Sequence, residues 1–140
     1  MVKRDLLKEQ IEQAGRVLAK ILTDFAGMRT TASVNDALQT VQQQLRTAFD
    51  FDLEPWLDLD PDARAQHFAT LEFSEAALDR FAAFLFELGV HYRAQHDPDR
   101  AQRYFRGART VLDRVDAVSE TLTFERMDLR AAVERAIATA

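Results

Sequence analysis

The groups of this sequence best able to do chemistry fall in one stretch, ELGVHYRAQHDPDRAQRYFRGA, residues 87–108. It carries two of the three histidines, His91 and His96, with Asp97 and Asp99 beside them. Imidazole and carboxylate together are ligands that suit a zinc ion. Zinc-binding pairs on one helix stand at i and i+4, so that both rings share a face. His91 and His96 are five apart, which sets them about 140° apart around a helix. No cysteine is present to complete a ligand set. The spacing argues against a metal centre. His91 is expected to flank a packing face, and His96 to lie in a last helical turn, where a cation meets the negative end of the helix dipole.

A second constellation, Asp50, Asp52 and Glu54, opens like a calcium loop. Such a loop needs glycine at its sixth position and a bidentate Glu at its twelfth. Here those positions are Pro55 and Pro61, and the match fails. The serines are Ser33, Ser74 and Ser119. Two of them read as helix caps and none sits in a nucleophile elbow. There is no glycine-rich phosphate loop. No carboxylate pair is set among apolar residues that would raise a pKa. No catalytic residue, no metal and no cofactor is expected, and the chain reads as a non-enzyme.

The elements that must position these residues are helices. Only four glycines and three prolines interrupt 140 residues, and 47% of the residues are apolar. That composition describes one globular, helix-rich domain over 1–140. Hairpin turn dipeptides such as Asn-Gly are absent, and no strand pattern competes. The lack of cysteine fits a reducing compartment. No apolar run approaches the roughly 20 residues of a membrane span. The start, MVKRDLLKEQIEQAGRVLAKIL, holds no secretory core, so a cytoplasmic location without membrane contact is expected. The net charge of −5 disfavours nucleic acid as a partner.

Residues 5–28 place Leu7, Ile11, Ala14, Leu18, Ile21, Phe25 and Met28 at alternating steps of four and three. That is a heptad seam on a first helix. Ser33 is expected to cap a second, on which Val34, Leu38, Val41, Leu45 and Ala48 repeat the steps. The two form an antiparallel hairpin over 5–49.

An acidic connector, 50–73, follows. Residues 51–79 hold eight acids and one base, Arg64. Phe51, Leu53, Trp56, Leu57 and Leu59 suggest a strip that folds down onto the helices, with Trp56 as a core plug. Asp60-Pro61-Asp62 starts a short helix that runs to about Thr70. Ser74 caps a helix running to about His96, with Leu78, Phe81, Leu85, Leu88 and Tyr92 on one face. Asp97-Pro98-Asp99 starts the next, which carries Ala101, Phe105, Ala108, Leu112 and Val115. A last helix begins near Thr123 and buries Leu129, Val133, Ala136 and Ile137. Arg100, Arg103, Arg106 and Arg109 step by three as a basic stripe. Such a stripe is most simply a solvated face with local ion pairs; the sharper reading sets it against the acidic 51–79 region of another subunit.

In 82–115, Leu85, Leu88, Gly89, Tyr92, Ala101, Phe105 and Ala108 stand at the offsets of the tetratricopeptide repeat, a 34-residue helix-turn-helix unit. The stretch resembles that repeat, with Leu85 at the large first position and Asp113 in place of the final Pro. Small residues at the crossing, beside Tyr92 and Phe105, let two helices approach closely. The hairpin 5–49 is similar only in outline. With Ala37 aligned to Ala101, Val41 meets Phe105 and Gln44 meets Ala108, while Asp24-Phe25 stands where Leu-Gly belongs. The whole chain is similar to an uncharacterised bacterial family of short tetratricopeptide-like proteins, which carries no assigned role.

The resemblance implies a short right-handed solenoid of stacked hairpins, closed by a capping helix over 123–139. It also implies a concave groove faced by Ala83, Phe86, Val90 and Arg93. Relatives that clamp a terminal carboxylate place Lys and Asn there, so Phe86 and Val90 imply an apolar partner segment instead, or the chain's own 51–59. The expected function is protein or peptide binding, or scaffolding. One clear repeat is fewer than a stable stack needs, so a homodimer is expected through Leu7, Ile11, Leu18, Ile21 and Phe25. A different class is a ligand-sensing helical domain, with Phe81, Phe84, Phe86 and Trp56 lining an apolar pocket between the fourth helix and the first.

Overall fold

The computed structural model describes Arg16, residues 31–71 and residues 73–139. Among the described residues the chain is all-helical, with six helices and no strand. These are α1 (Thr31–Phe49), α2 (Leu53–Leu57), α3 (Pro61–Ala69), α4 (Glu75–Ala94), α5 (Pro98–Val118) and α6 (Phe124–Ala138). The seam expected on 5–28 lies outside the described residues.

Helix α1 buries Val34, Ala37, Leu38, Val41 and Leu45 and exposes Asn35, Asp36, Gln39, Thr40 and Gln43. It is already helical at Thr31, so Ser33 lies inside it and is not its cap. Nothing between Thr31 and Ser33 forbids a helix, since no glycine or proline intervenes. Its far end turns at Asp50, a non-glycine residue with φ 51°. The Asp50 and Phe51 amides return there to the Arg46 and Leu45 carbonyls.

Four helix starts follow their local chemistry. The side chains of Asp60, Ser74, Asp97 and Thr123 accept from the amides of Ala63, Ala77, Arg100 and Arg126. Each satisfies an amide that a helix leaves without an internal partner. The acidic connector folds as α2 and α3, and its apolar strip forms the core's aromatic centre. Trp56 is 2% exposed and donates its indole N–H to the Arg64 carbonyl at 3.0 Å. Phe68 lies 5.4 Å from the Trp56 ring and 5.9 Å from Phe81, and Phe51 completes the group at 5.4 Å from Trp56. The strip ends at Leu57; Leu59, expected within it, is 39% exposed.

The largest packing surface joins α4 to α5. Leu85, Leu88, Gly89, Tyr92, Ala101, Phe105 and Ala108 are all buried in it. A Cβ built on Gly89 would stand 2.4 Å from Phe105 Cε1, so the absence of a side chain admits the ring. Gly107 works the same way on the other side of α5, where a Cβ would meet Leu57 Cδ2 at 2.5 Å.

The turn between these helices is closed by His96 at φ 62°. The His96 amide bonds the Arg93 carbonyl, and the Asp97 amide bonds the Tyr92 carbonyl. That pair of bonds is a Schellman motif, whose left-handed residue is usually glycine. His96 therefore stands beyond the helix as its terminator and not in the last turn.

Helix α6 returns along α5. Near its start, Arg126 reaches Glu75 and Asp79 at the beginning of α4. Near its end, the Ala136 carbonyl accepts from the Gln102 amide group. Helices α4 and α6 therefore run in the same direction, side by side on α5.

Candidate functional site

The two parallel helices, both packed on α5, leave a cleft of about 430 Å³ between them. Asp79, Arg80 and Ala83 of α4 line one wall, and Thr123, Glu125, Arg126 and Leu129 of α6 line the other. Of the residues expected to face a groove, Ala83 lines this cleft. Phe86, half-buried, lies 5.7 Å from the Phe105 ring, and the Arg93 guanidinium lies 5.5 Å from the same ring. Val90 is half-buried on the same helix.

Arg126 sets the spacing of the two walls. Its side chain is 2% exposed. Its Nε lies 2.8 Å from Asp79 Oδ1, and one terminal nitrogen lies 2.9 Å from Asp79 Oδ2 and 2.8 Å from Glu75 Oε1. The other terminal nitrogen donates to the Thr121 carbonyl at 2.8 Å. A buried guanidinium is tolerated because these acceptors replace its water. The bonds to Asp79 and Glu75 hold its pKa above the ordinary value. Glu75 accepts from Ser119 as well as from Arg126, and its pKa falls below the ordinary carboxylate value for those reasons, in that order.

Where the α5–α6 connection meets this cleft, the surface turns apolar. Val118, Leu122, Phe124 and Met127 are 46%, 67%, 82% and 46% exposed. Leu59 alone among the other described large apolar residues is similarly exposed.

A second polar group pins the acidic connector to α5. Tyr104 donates to Glu54 Oε1 at 2.6 Å, and Arg103 bonds Glu54 Oε2 at 3.1 Å. Arg100 approaches Glu54 at 3.4 Å and lies 4.1 Å from the centre of the Tyr92 ring. Arg103 Nε is 2.8 Å from Asp58 in an ion pair without hydrogen-bond alignment. Burial raises the pKa of both tyrosines, and for Tyr104 the bond to Glu54 adds to it. The group holds protons in place and presents no activated nucleophile. The basic stripe thus meets acids of its own chain: Arg100 and Arg103 at Glu54 and Asp58, and Arg109 at Glu134, 3.6 Å away.

Among the described residues no three His, Asp or Glu side chains gather as a metal site. His91 packs its ring edge-on to Tyr92 at 5.3 Å. Of the aromatic residues expected around a ligand pocket, Trp56 and Phe81 lie against Phe68, and Phe86 lies against Phe105. The connector strip expected as one occupant of the groove packs on α5, with Leu57 at Gly107 and Glu54 at Tyr104. No described helix is long and apolar enough to cross a membrane.

Arg126 carried no signal in the sequence, and Arg64 carried a single one. Arg64 is 4% exposed and bonds the Thr110 hydroxyl at 3.0 Å and the Leu59 carbonyl at 3.3 Å. Burial, with Arg109 and Arg106 nearby, lowers its pKa. Its one visible mark was being the single base among the acids of 51–79.

Compared with known proteins, the chain matches no family model, no curated protein and no solved structure.

Proposed function

We propose that the chain is a non-enzymatic protein–protein interaction or scaffold module that binds a protein or peptide segment on the face between α4 and α6. The observation that carries the reading is the open cleft between two parallel helices, α4 and α6, lined by Asp79, Arg80, Ala83, Thr123, Glu125, Arg126 and Leu129. A rigid face of this kind positions a partner and holds no group arranged to transform it.

The architecture proposed is a short right-handed tetratricopeptide-like solenoid. In it α4 and α5 form the repeat, 5–49 forms a degenerate one and α6 caps the stack. The close approach at Gly89 and the parallel course of α4 and α6 support it. The proposal includes a homodimer through Leu7, Ile11, Leu18, Ile21 and Phe25, which light scattering reads directly as a doubled mass. No observation favours the ligand-sensing alternative.

Affinity capture from the native cell tests the reading, comparing the wild-type chain with Ala83→Glu. Ala83 is half-buried in the cleft wall, and a carboxylate there alters the face more than the fold. Loss of the captured partner from a folded Ala83→Glu chain supports the proposal, and an unchanged set of partners refutes it.

A further inference from the structure

The α5–α6 corner carries four exposed apolar side chains within ten residues, Val118, Leu122, Phe124 and Met127. Clustered apolar exposure of this kind marks an interaction surface more often than scattered exposure does. Phe124 and Met127 are three apart on α6, so they share a helix face. Thr123 fixes the start of that helix, the Thr121 amide donates to the Ser119 hydroxyl oxygen, and Arg126 holds the Thr121 carbonyl. The corner is therefore presented on an ordered scaffold.

The charge around these side chains is mostly negative, with Arg80 an exposed cation across the cleft from Glu125. Glu120, Glu125 and Asp128 are exposed, and among the described residues none of the three has an ion pair. Behind them Glu75 and Asp79 share the single cation of Arg126. A second copy docking symmetrically would set the three carboxylates against their own images, within the range where like charges repel. Nucleic acid and anionic lipid surfaces are repelled for the same reason. What complements the corner is an apolar segment that also carries positive charge.

We propose that the α5–α6 corner docks a cationic, amphipathic segment of a partner protein. Phe124 and Met127 receive its apolar face, and Glu120, Glu125 and Asp128 meet its Lys or Arg side chains. The inference rests on the binding-module reading and names the chemistry of the partner. Opposite charges at the rim raise the association rate, and salt weakens the complex.

The probe is a fluorescent amphipathic peptide of leucine and lysine, titrated against the whole chain by anisotropy, beside a leucine–glutamate peptide of the same pattern. The lysine peptide binds and the glutamate peptide does not. Phe124→Ser with Met127→Ser weakens binding about tenfold, as removal of a central aromatic contact does. Glu120→Gln with Glu125→Gln and Asp128→Asn does the same. Matched neutralisation elsewhere, Asp62→Asn with Glu87→Gln and Asp99→Asn, leaves binding unchanged. Equal binding of both peptides overturns the proposal. So does an equal loss in the matched control, or wild-type affinity in both corner variants. A wild-type dimer dissolved by Phe124→Ser with Met127→Ser also overturns it, since the occupant is then a second copy. Failure here is separable from failure of the module reading, because Ala83→Glu tests the cleft and leaves every corner residue in place.

Discussion

Arg126 holds Asp79 by two bonds, Nε to Oδ1 at 2.8 Å and a terminal nitrogen to Oδ2 at 2.9 Å. The guanidinium is buried and the carboxylate is about a third exposed. This pair, joined by Glu75, fixes α6 beside α4 and so defines the width of the cleft. Arg126→Ala lowers stability by about 2 kcal/mol, the scale of hydrogen bonds to charged groups. Arg126→Lys recovers less than half of that, because an ammonium cannot make the two-point pair. Urea unfolding measures both, and an unchanged midpoint in Arg126→Ala contradicts the assignment. Glu75 adds a pH dependence. Its folded pKa is depressed, so its contribution is present above the ordinary carboxylate range and is lost as pH falls through the folded value. Ser119→Ala removes the leading cause and makes that acid loss shallower.

The two tyrosines define the alkaline limb. Their folded pKa values are raised by burial, and for Tyr104 also by its bond to Glu54. A raised pKa gives stability that is fully present below the unfolded value, about pH 10, and is lost as pH rises toward the folded value. Tyrosinate absorbance of the folded chain stays low through about pH 10, while the chain in urea ionises there. Ordinary titration of both rings in the folded protein would place them in water.

Gly89→Ala measures the closeness of α4 and α5. The added carbon meets Phe105 Cε1 at 2.4 Å in a ring that is 1% exposed and has little room to move. Overpacking costs about 1–3 kcal/mol, against a gain of about 1 kcal/mol in helix propensity. The net result is destabilisation, read as a lower thermal midpoint. Phe105→Leu in the same chain partly restores it, because the branched side chain vacates the ring edge. A stabilised Gly89→Ala chain contradicts the close approach.

His96→Gly works in the opposite direction. At φ 62° a side chain is strained, and glycine relieves about 1–2 kcal/mol of that strain. Glycine's freedom in the unfolded chain offsets about half of it. A stability gain of up to about 1 kcal/mol is expected by urea unfolding. A loss would show that the imidazole makes a contact that matters more than the backbone.

Elements whose signals are local were legible in the sequence. Asp60, Ser74, Asp97 and Thr123 announced helix starts because capping joins a side chain to an amide three residues away. Ser33 misled because the same residue type is tolerated inside a helix when no neighbour stops the chain earlier. The role of Arg126 was hidden because its acceptors on α4 lie 47 and 51 residues away, and only the folded arrangement brings them to it. Gly107 was hidden likewise, since the need for its missing side chain arises from Leu57 on a separate helix. The apolar corner escaped because periodicity marks buried faces. Phe124 stands outside the face formed by Leu129, Val133, Ala136 and Ile137, and only solvent exposure reveals it.

The most direct test of the binding face is amide hydrogen exchange on the chain, before and after addition of the partner recovered by native-cell capture. Exchange slows on contact where a partner covers or rigidifies the backbone. The account predicts slowing in 79–90 of α4 and 123–129 of α6, with no change in 36–47 of α1. Slowing confined to α1, with α4 and α6 unaffected, would contradict it.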